Sequence, residues 1–328
     1  KAALAAAPTD GRALLAHGRA LLASGAAEQA LPVLERTWAA GPSAAVAASL
    51  GAARRLSGDV SAALAGLQAA KTQWPEDAAV RAQIAAARFD RAWAELASGR
   101  SARRSASDFN AALRATGLDP KSAARARYGA AVSALRLGDG AAARRHLGAM
   151  RGAAKAAGGL KAVLQRAPGD HLALLQARAA VLERKDDDAL ALLKGARTPK
   201  GSEGARLLRV AHQRQGEAAF KRGDLKGAEA AFKLADGADS TAWTRHHRAV
   251  VQALRGAVAA GVPAFNAGDH ARCRALYADA LNAVEESPAL TPGERGVVAE
   301  ALSETRTQDV TAAAWTLRHS MPMTSLSM

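Results

Sequence analysis

The chain has 328 residues, with 45 Lys and Arg against 30 Asp and Glu, a formal charge of +15. About 90 residues are Ala, Ile84 is the sole Ile and Val supplies about 16. Ala favours helices and β-branched residues favour strands, so this balance excludes an α/β sheet protein. One cysteine, Cys273, excludes an internal disulfide framework and a Cys-rich zinc site, and no apolar run is long enough for an integral membrane segment.

At the N-terminus, the absence of an initiator Met at Lys1 suggests a processed or excised chain. The run from Ala3 to Pro8 is like the tail of a signal-peptide cleavage region without its apolar core. Periplasm or cell envelope and cytoplasm therefore stand open equally, and residues 1–10 are expected to fray.

From Gly11 onward the chain is organised by a repeat. Gly18, Gly25, Ala30, Leu34 and Pro42 return 33 residues later as Gly51, Gly58, Ala63, Leu67 and Pro75. Gly216, Gly223, Ala228, Phe232 and Ala235 repeat the pattern, and Gly138-Asp139 and Gly268-Asp269 mark two further turns. Weaker copies run from Arg81 to Pro120, where Phe109 and Ala112 fit a second helix, and from Leu172 to Ala196. Small residues such as Gly18 and Ala30 let paired helices approach closely. Gly25, Gly58, Gly138 and Gly223 close first helices in the left-handed conformation that costs glycine little. Asp59, Asp139, Asp224 and Asp269 then cap or precede the next helix.

At these residues the chain resembles the tetratricopeptide repeats, helix–turn–helix arrays with a period of 34 residues. The resemblance implies an all-α, right-handed α-solenoid of about seven repeats with a C-terminal capping helix. The family's Trp column holds Leu14, Ala47 and His212 instead. Its carboxylate clamp of Lys and Asn is replaced by Leu15 and Arg19, and by Ala48 and Ala52, so binding of a chaperone C-terminal peptide is not implied.

The joints follow. Arg81 to Leu96 reads as a long first helix and Ala97 to Ser107 as a polar loop. Gly158-Gly159 and 198–204 read as hinges. An N-terminal lobe is thus expected over 11–197 and a second over 205–290. Pro263 should kink the helical pattern 243–267. Thr291-Pro292-Gly293-Glu294 should start one capping helix over 291–318, with 319–328 as a tail.

Charge is concentrated between Arg100 and Arg166, where 14 Lys or Arg face three Asp. If first helices line a concave face, the template turns Arg125, Tyr128 and Arg136 into one stripe, with Arg144 and Arg145 beside it and Arg103 and Arg104 at its rim. Equivalent columns hold Arg19, Arg55, Arg178 and Lys221. The stripe suits an acidic or extended segment of a protein partner in a larger complex; solvated helix faces are the plainer reading. Nucleic acid or another polyanion fits the charge, but only Phe109 and Tyr128 supply rings within the block. A regulatory domain of a longer enzyme is the third reading.

No paired acid, base or nucleophile points to catalysis, and no cofactor is expected. His246-His247 point about 100° apart on a helix, which suits packing better than chelation. Asp186-Asp187-Asp188 suit a helix's first turn. Cys273 falls in a small-residue packing column. Trp38, Trp74, Trp93 and Trp315 lie late in helices, as packing residues, with Trp315 also open as a partner anchor.

Overall fold

A computed structural model describes residues 10–115, 118–160, 169–286, 292–306 and 308–323. The described residues form sixteen helices and no strand. The chain divides into two compact units, Lys1–Gly169 and Asp170–Met328.

The first unit holds α1 (Gly11–Ala23), α2 (Ala27–Ala40), α3 (Ala44–Leu56), α4 (Val60–Gln73), α5 (Ala78–Ser98), α6 (Ala102–Arg114), α7 (Pro120–Arg136) and α8 (Gly140–Ala156). Each odd helix pairs with the next, and each pair rests on the following one. The second unit holds α9 (Gly169–Leu182), α10 (Asp186–Leu193), α11 (Glu203–Lys221), α12 (Leu225–Ala238), α13 (Ala242–Asn266), α14 (His270–Glu285), α15 (Pro292–Glu304) and α16 (Val310–Met323). Within each unit this is the neighbour-on-neighbour stacking of a helical-repeat array.

What closes six of the hairpins is a single spacing. Gly18 lies under Leu34, Gly51 under Leu67, Gly216 under Phe232 and Gly261 under Tyr277, each pair sixteen residues apart. The large partner fills the space a β-carbon would occupy, so the helix backbones approach as closely as the sequence repeat predicts. Ala131 with Leu147 and Ala177 with Leu193 keep the same spacing, and all four are buried. Burying each of the large partners contributes roughly 1.5–3 kcal/mol.

Twelve residues after that first position, which holds Trp93 in the third hairpin, comes a second fixed position. Ala30, Ala63, Ser105, Ala143, Ala189, Ala228 and Cys273 occupy it, and all are fully buried. Cys273 is thus a packing thiol in an alanine's place, in keeping with its column. Ser105 is tolerated there because its hydroxyl donates to the Ala92 carbonyl at 3.0 Å and meets Ser133 Oγ at 3.0 Å.

The turns repeat as well. Gly25, Gly58, Gly138, Gly223 and Gly268 all have positive φ. Asp59, Asp139, Asp224 and Asp269 then each accept a backbone N–H from the third residue beyond, at 2.8–3.0 Å. In the fifth hairpin the glycine is missing, and Arg184 takes the left-handed backbone at φ 56°.

Several boundaries differ from the sequence reading. The expected loop Ala97 to Ser107 is only residues 99–101. Gly99 ends α5 at φ 70°, and Ser101 caps α6 by accepting from Arg104 N at 3.2 Å. Its polar run is the solvated side of an amphipathic helix that buries Ser105, Asp108, Phe109 and Ala112. The expected single helix over 291–318 is two, α15 and α16, with Asp309 accepting from Thr311 N and Ala312 N at the start of the second. Helix α16 continues to Met323, beyond the expected limit of 318. It packs on α14 and α15 and touches α11. Helix α13 runs through Pro263 to Asn266; the ring removes the one N–H that would bond the Ala259 carbonyl, and only three residues follow it in the helix. Residues 198–204 lie inside the second unit: 198–202 fall in the connector from α10, and Glu203 and Gly204 begin α11. Gly158 and Gly159 both have positive φ just after α8, eleven and ten residues before the division at Gly169. Residues 1–9 and 324–328 of the expected tails lie outside the described residues.

Candidate interaction surface

The long helix α5 carries Phe89 and Trp93 one turn apart, so both rings leave the same face. They meet edge to face with centroids 6.2 Å apart. Phe109 of α6 closes the cluster from below, 5.3 Å from Trp93 and 6.1 Å from Phe89. Phe109 is fully buried because Gly129 of α7 leaves room for its ring.

Helix α7 adds the polar half. Tyr128 stacks on Trp93 at 6.2 Å with the planes 17° apart, and burial raises its phenol pKa. The Arg125 guanidinium lies 5.7 Å from the centroids of both Phe89 and Trp93 while the residue stays exposed. A cation over two aromatic faces is held by their quadrupoles yet keeps donors free for an anion. The Trp93 indole N–H is buried without a hydrogen-bond acceptor among the described residues.

A partly buried brace ties the helices under this surface together. Arg91 grips Asp108 with two bonds, Nε at 2.7 Å and Nη2 at 2.8 Å, tying α5 to α6. That hydrogen bonding to Asp108 holds the guanidinium pKa above its usual value.

Other arginines predicted to line the surface act as staples between hairpins. Arg19 donates to Ser49 Oγ at 3.1 Å, joining α1 to α3, and Arg55 pairs with Asp90 at 2.7 Å, joining α3 to α5. Arg136 donates to the Leu96 carbonyl at 2.7 Å, satisfying a free acceptor in the last turn of α5. Arg104 pairs with Glu95 at 3.3 Å and stays mostly exposed. Arg103 and Arg145 are exposed, and Arg144 is half-buried. Arg178 and Lys221 lie in the second unit; Arg178 pairs with Glu203 at 3.0 Å, and Lys221 is exposed in the last turn of α11.

Arg125 and Tyr128 are therefore brought together around Trp93, whereas Arg19, Arg55 and Arg136 are spent on packing geometry. Sequence reading missed Phe89 as a surface residue and treated Trp93 as plain packing. Their one-turn spacing on a long helix was the available signal.

The remaining candidates have structural partners. His247 stacks on Trp243 and its Nδ1 lies 3.0 Å from the Trp243 carbonyl oxygen. Asp186 pairs with Arg214 at 3.2 Å, and Asp187 accepts from Gln215 at 2.7 Å. Trp315 is 47% exposed and meets Phe265 edge-on at 5.3 Å. Among the described residues no group of three His, Cys, Asp or Glu side chains could hold a metal ion, and no helix is long and apolar enough to cross a membrane.

No family model and no curated protein matches this chain. It is similar to a solved tetratricopeptide repeat protein from Parabacteroides merdae ATCC 43184, with 14% identity over 89% of this chain and 97% of that one, at a TM-score of 0.36. At that score the repeat architecture rests on the hairpins themselves.

Proposed function

We propose that the chain is a non-enzymatic scaffold whose first unit binds an acidic or extended segment of a partner protein, as one step in assembling a larger complex. The observation that carries this reading is Arg125, exposed and seated over Phe89 and Trp93 with Tyr128 stacked alongside. Arg103, Arg104, Arg144 and Arg145 supply further positive charge on α6 and α8. Aromatic and Arg side chains held by a rigid frame are the residue types that dominate protein interfaces. Because neighbouring hairpins already fix the surface, most of the ordering cost falls on the partner.

The test is capture of a cross-linked partner from the source cell extract by the intact chain, repeated with Arg125→Glu and with Tyr128→Ala. Both variants should weaken capture of the same protein at least tenfold, with the helical circular dichroism unchanged. Equal capture by wild type and both variants rejects this surface. Salt-sensitive binding to random RNA or DNA at physiological ionic strength would favour the polyanion reading instead.

A further inference from the structure

The third hairpin and α4 also border a cationic cleft of about 420 Å³, lined by α4, α5 and α6. Four cations meet there: Lys71 from α4, Arg81 and Arg88 from α5, and Arg114 from α6. Among the described residues no carboxylate lines it. Glu76 pairs with one outer nitrogen of Arg81 at 2.8 Å and is itself 87% exposed, so the cleft keeps a net positive charge of about three. Ile84, Ala85 and Ala111 form an apolar wall between the cations.

Like charges are not gathered in one concave space without cost. Among the described residues Lys71, Arg88 and Arg114 meet no acid within the cleft, and their mutual repulsion opposes packing α4, α5 and α6 together. The Nε groups of Arg81 and Arg88 are buried and donate to nothing among the described residues. Unsatisfied buried donors in a polar cleft call for an acceptor.

We infer that this cleft binds a compact phosphorylated anion with two or more phosphate groups. A carboxylate offers two oxygens in one plane. Linked phosphates present oxygens in several directions, which matches cations arriving from three helices. The volume lies within the range of small-molecule sites. The apolar wall leaves room for an organic substituent beside the phosphates, so inorganic tripolyphosphate and a nucleoside triphosphate share the required chemistry. The cleft uses none of the residues assigned to partner capture and stands independently of that reading.

The test is isothermal titration calorimetry of the full chain at 150 mM salt, with tripolyphosphate, ATP and citrate injected separately. Tripolyphosphate or ATP should bind at one site with a Kd below about 100 μM, and citrate at least tenfold more weakly. Tighter binding of ATP than of tripolyphosphate would show that the wall holds the organic part; the reverse would point to an inorganic anion. The double variant Lys71→Gln/Arg114→Gln removes two exposed charges and should lower affinity at least tenfold. The double variant Arg206→Gln/Lys226→Gln, with the same loss of exposed charge in the second unit, should leave it unchanged. Equal losses in both double variants, equal binding of citrate, or no heat from either phosphate compound up to 1 mM would overturn the inference.

Discussion

A β-carbon on Gly216 would stand 2.7 Å from the Phe232 ring, closer than any relaxed packing contact. Gly216→Ala should therefore destabilise the second unit by roughly 1–3 kcal/mol, although alanine is the better helix former. Gly148 sits on the exposed face of α8 with nothing within 4 Å, so Gly148→Ala should stabilise by about 0.5–1 kcal/mol. Urea unfolding of both variants checks the pair. Two changes of the same sign would refute the close-approach account.

Arg184 holds the backbone shape that glycine holds in the six other hairpin turns. A left-handed L-residue costs roughly 1–2 kcal/mol, partly offset by glycine's greater freedom in the unfolded chain. Arg184 is exposed, so its side chain carries little packing. Arg184→Gly should thus slow amide exchange in α9 and α10 and raise stability by about 0.5–1 kcal/mol. Faster exchange there would mean that the side chain, and not the backbone, matters.

The Arg91–Asp108 brace joins a carboxylate that is 7% exposed to a guanidinium that is 34% exposed. Asp108→Ala strands a partly buried cation. The loss should be about 2 kcal/mol, below the 3–5 of a fully buried pair because water still reaches Arg91. The change should also loosen the aromatic cluster, read as a red shift of tryptophan emission. An unshifted spectrum with unchanged stability would show the brace to be dispensable.

His146 and His212 both have lowered pKa values. Burial is the main cause in each; Arg127 and Arg145 add to it for His146, and the Gln215 hydrogen bond opposes it for His212. The folded state thus prefers neutral imidazole. As pH falls below the ordinary value of about 6.5, the unfolded chain takes up protons first, and stability drops until the folded-state pKa is passed. Urea midpoints should fall between pH 7.5 and 5, and His146→Gln with His212→Gln should flatten that slope. A slope identical to wild type would assign the acid sensitivity to other groups.

The helical array was legible wherever the small residue, turn glycine and capping Asp coincide, as at Gly51, Gly58 and Asp59. It blurred where a different residue meets the same need. Trp93 stands at the small-residue position of the third hairpin, and Phe109 instead finds its gap at Gly129 of the next helix. Arg184 hides the fifth turn. The polar start of α6 resembled a loop because its buried positions begin only at Ser105. Positive charge was legible as density, but which arginines would be consumed was not. Arg136 reaches a carbonyl forty residues away, and Arg55 a carboxylate thirty-five away, and no local pattern encodes such partners.

Each sixteen-residue clasp lies wholly inside its hairpin. The distance from one clasp to the next ranges from thirty-three residues between Gly18 and Gly51 to forty-six between Ala131 and Ala177. Connectors can thus lengthen, shorten or change composition over evolutionary time without springing a single clasp. Descent from a common tandem duplication would leave its trace in those paired positions long after fixed-period alignment has lost it.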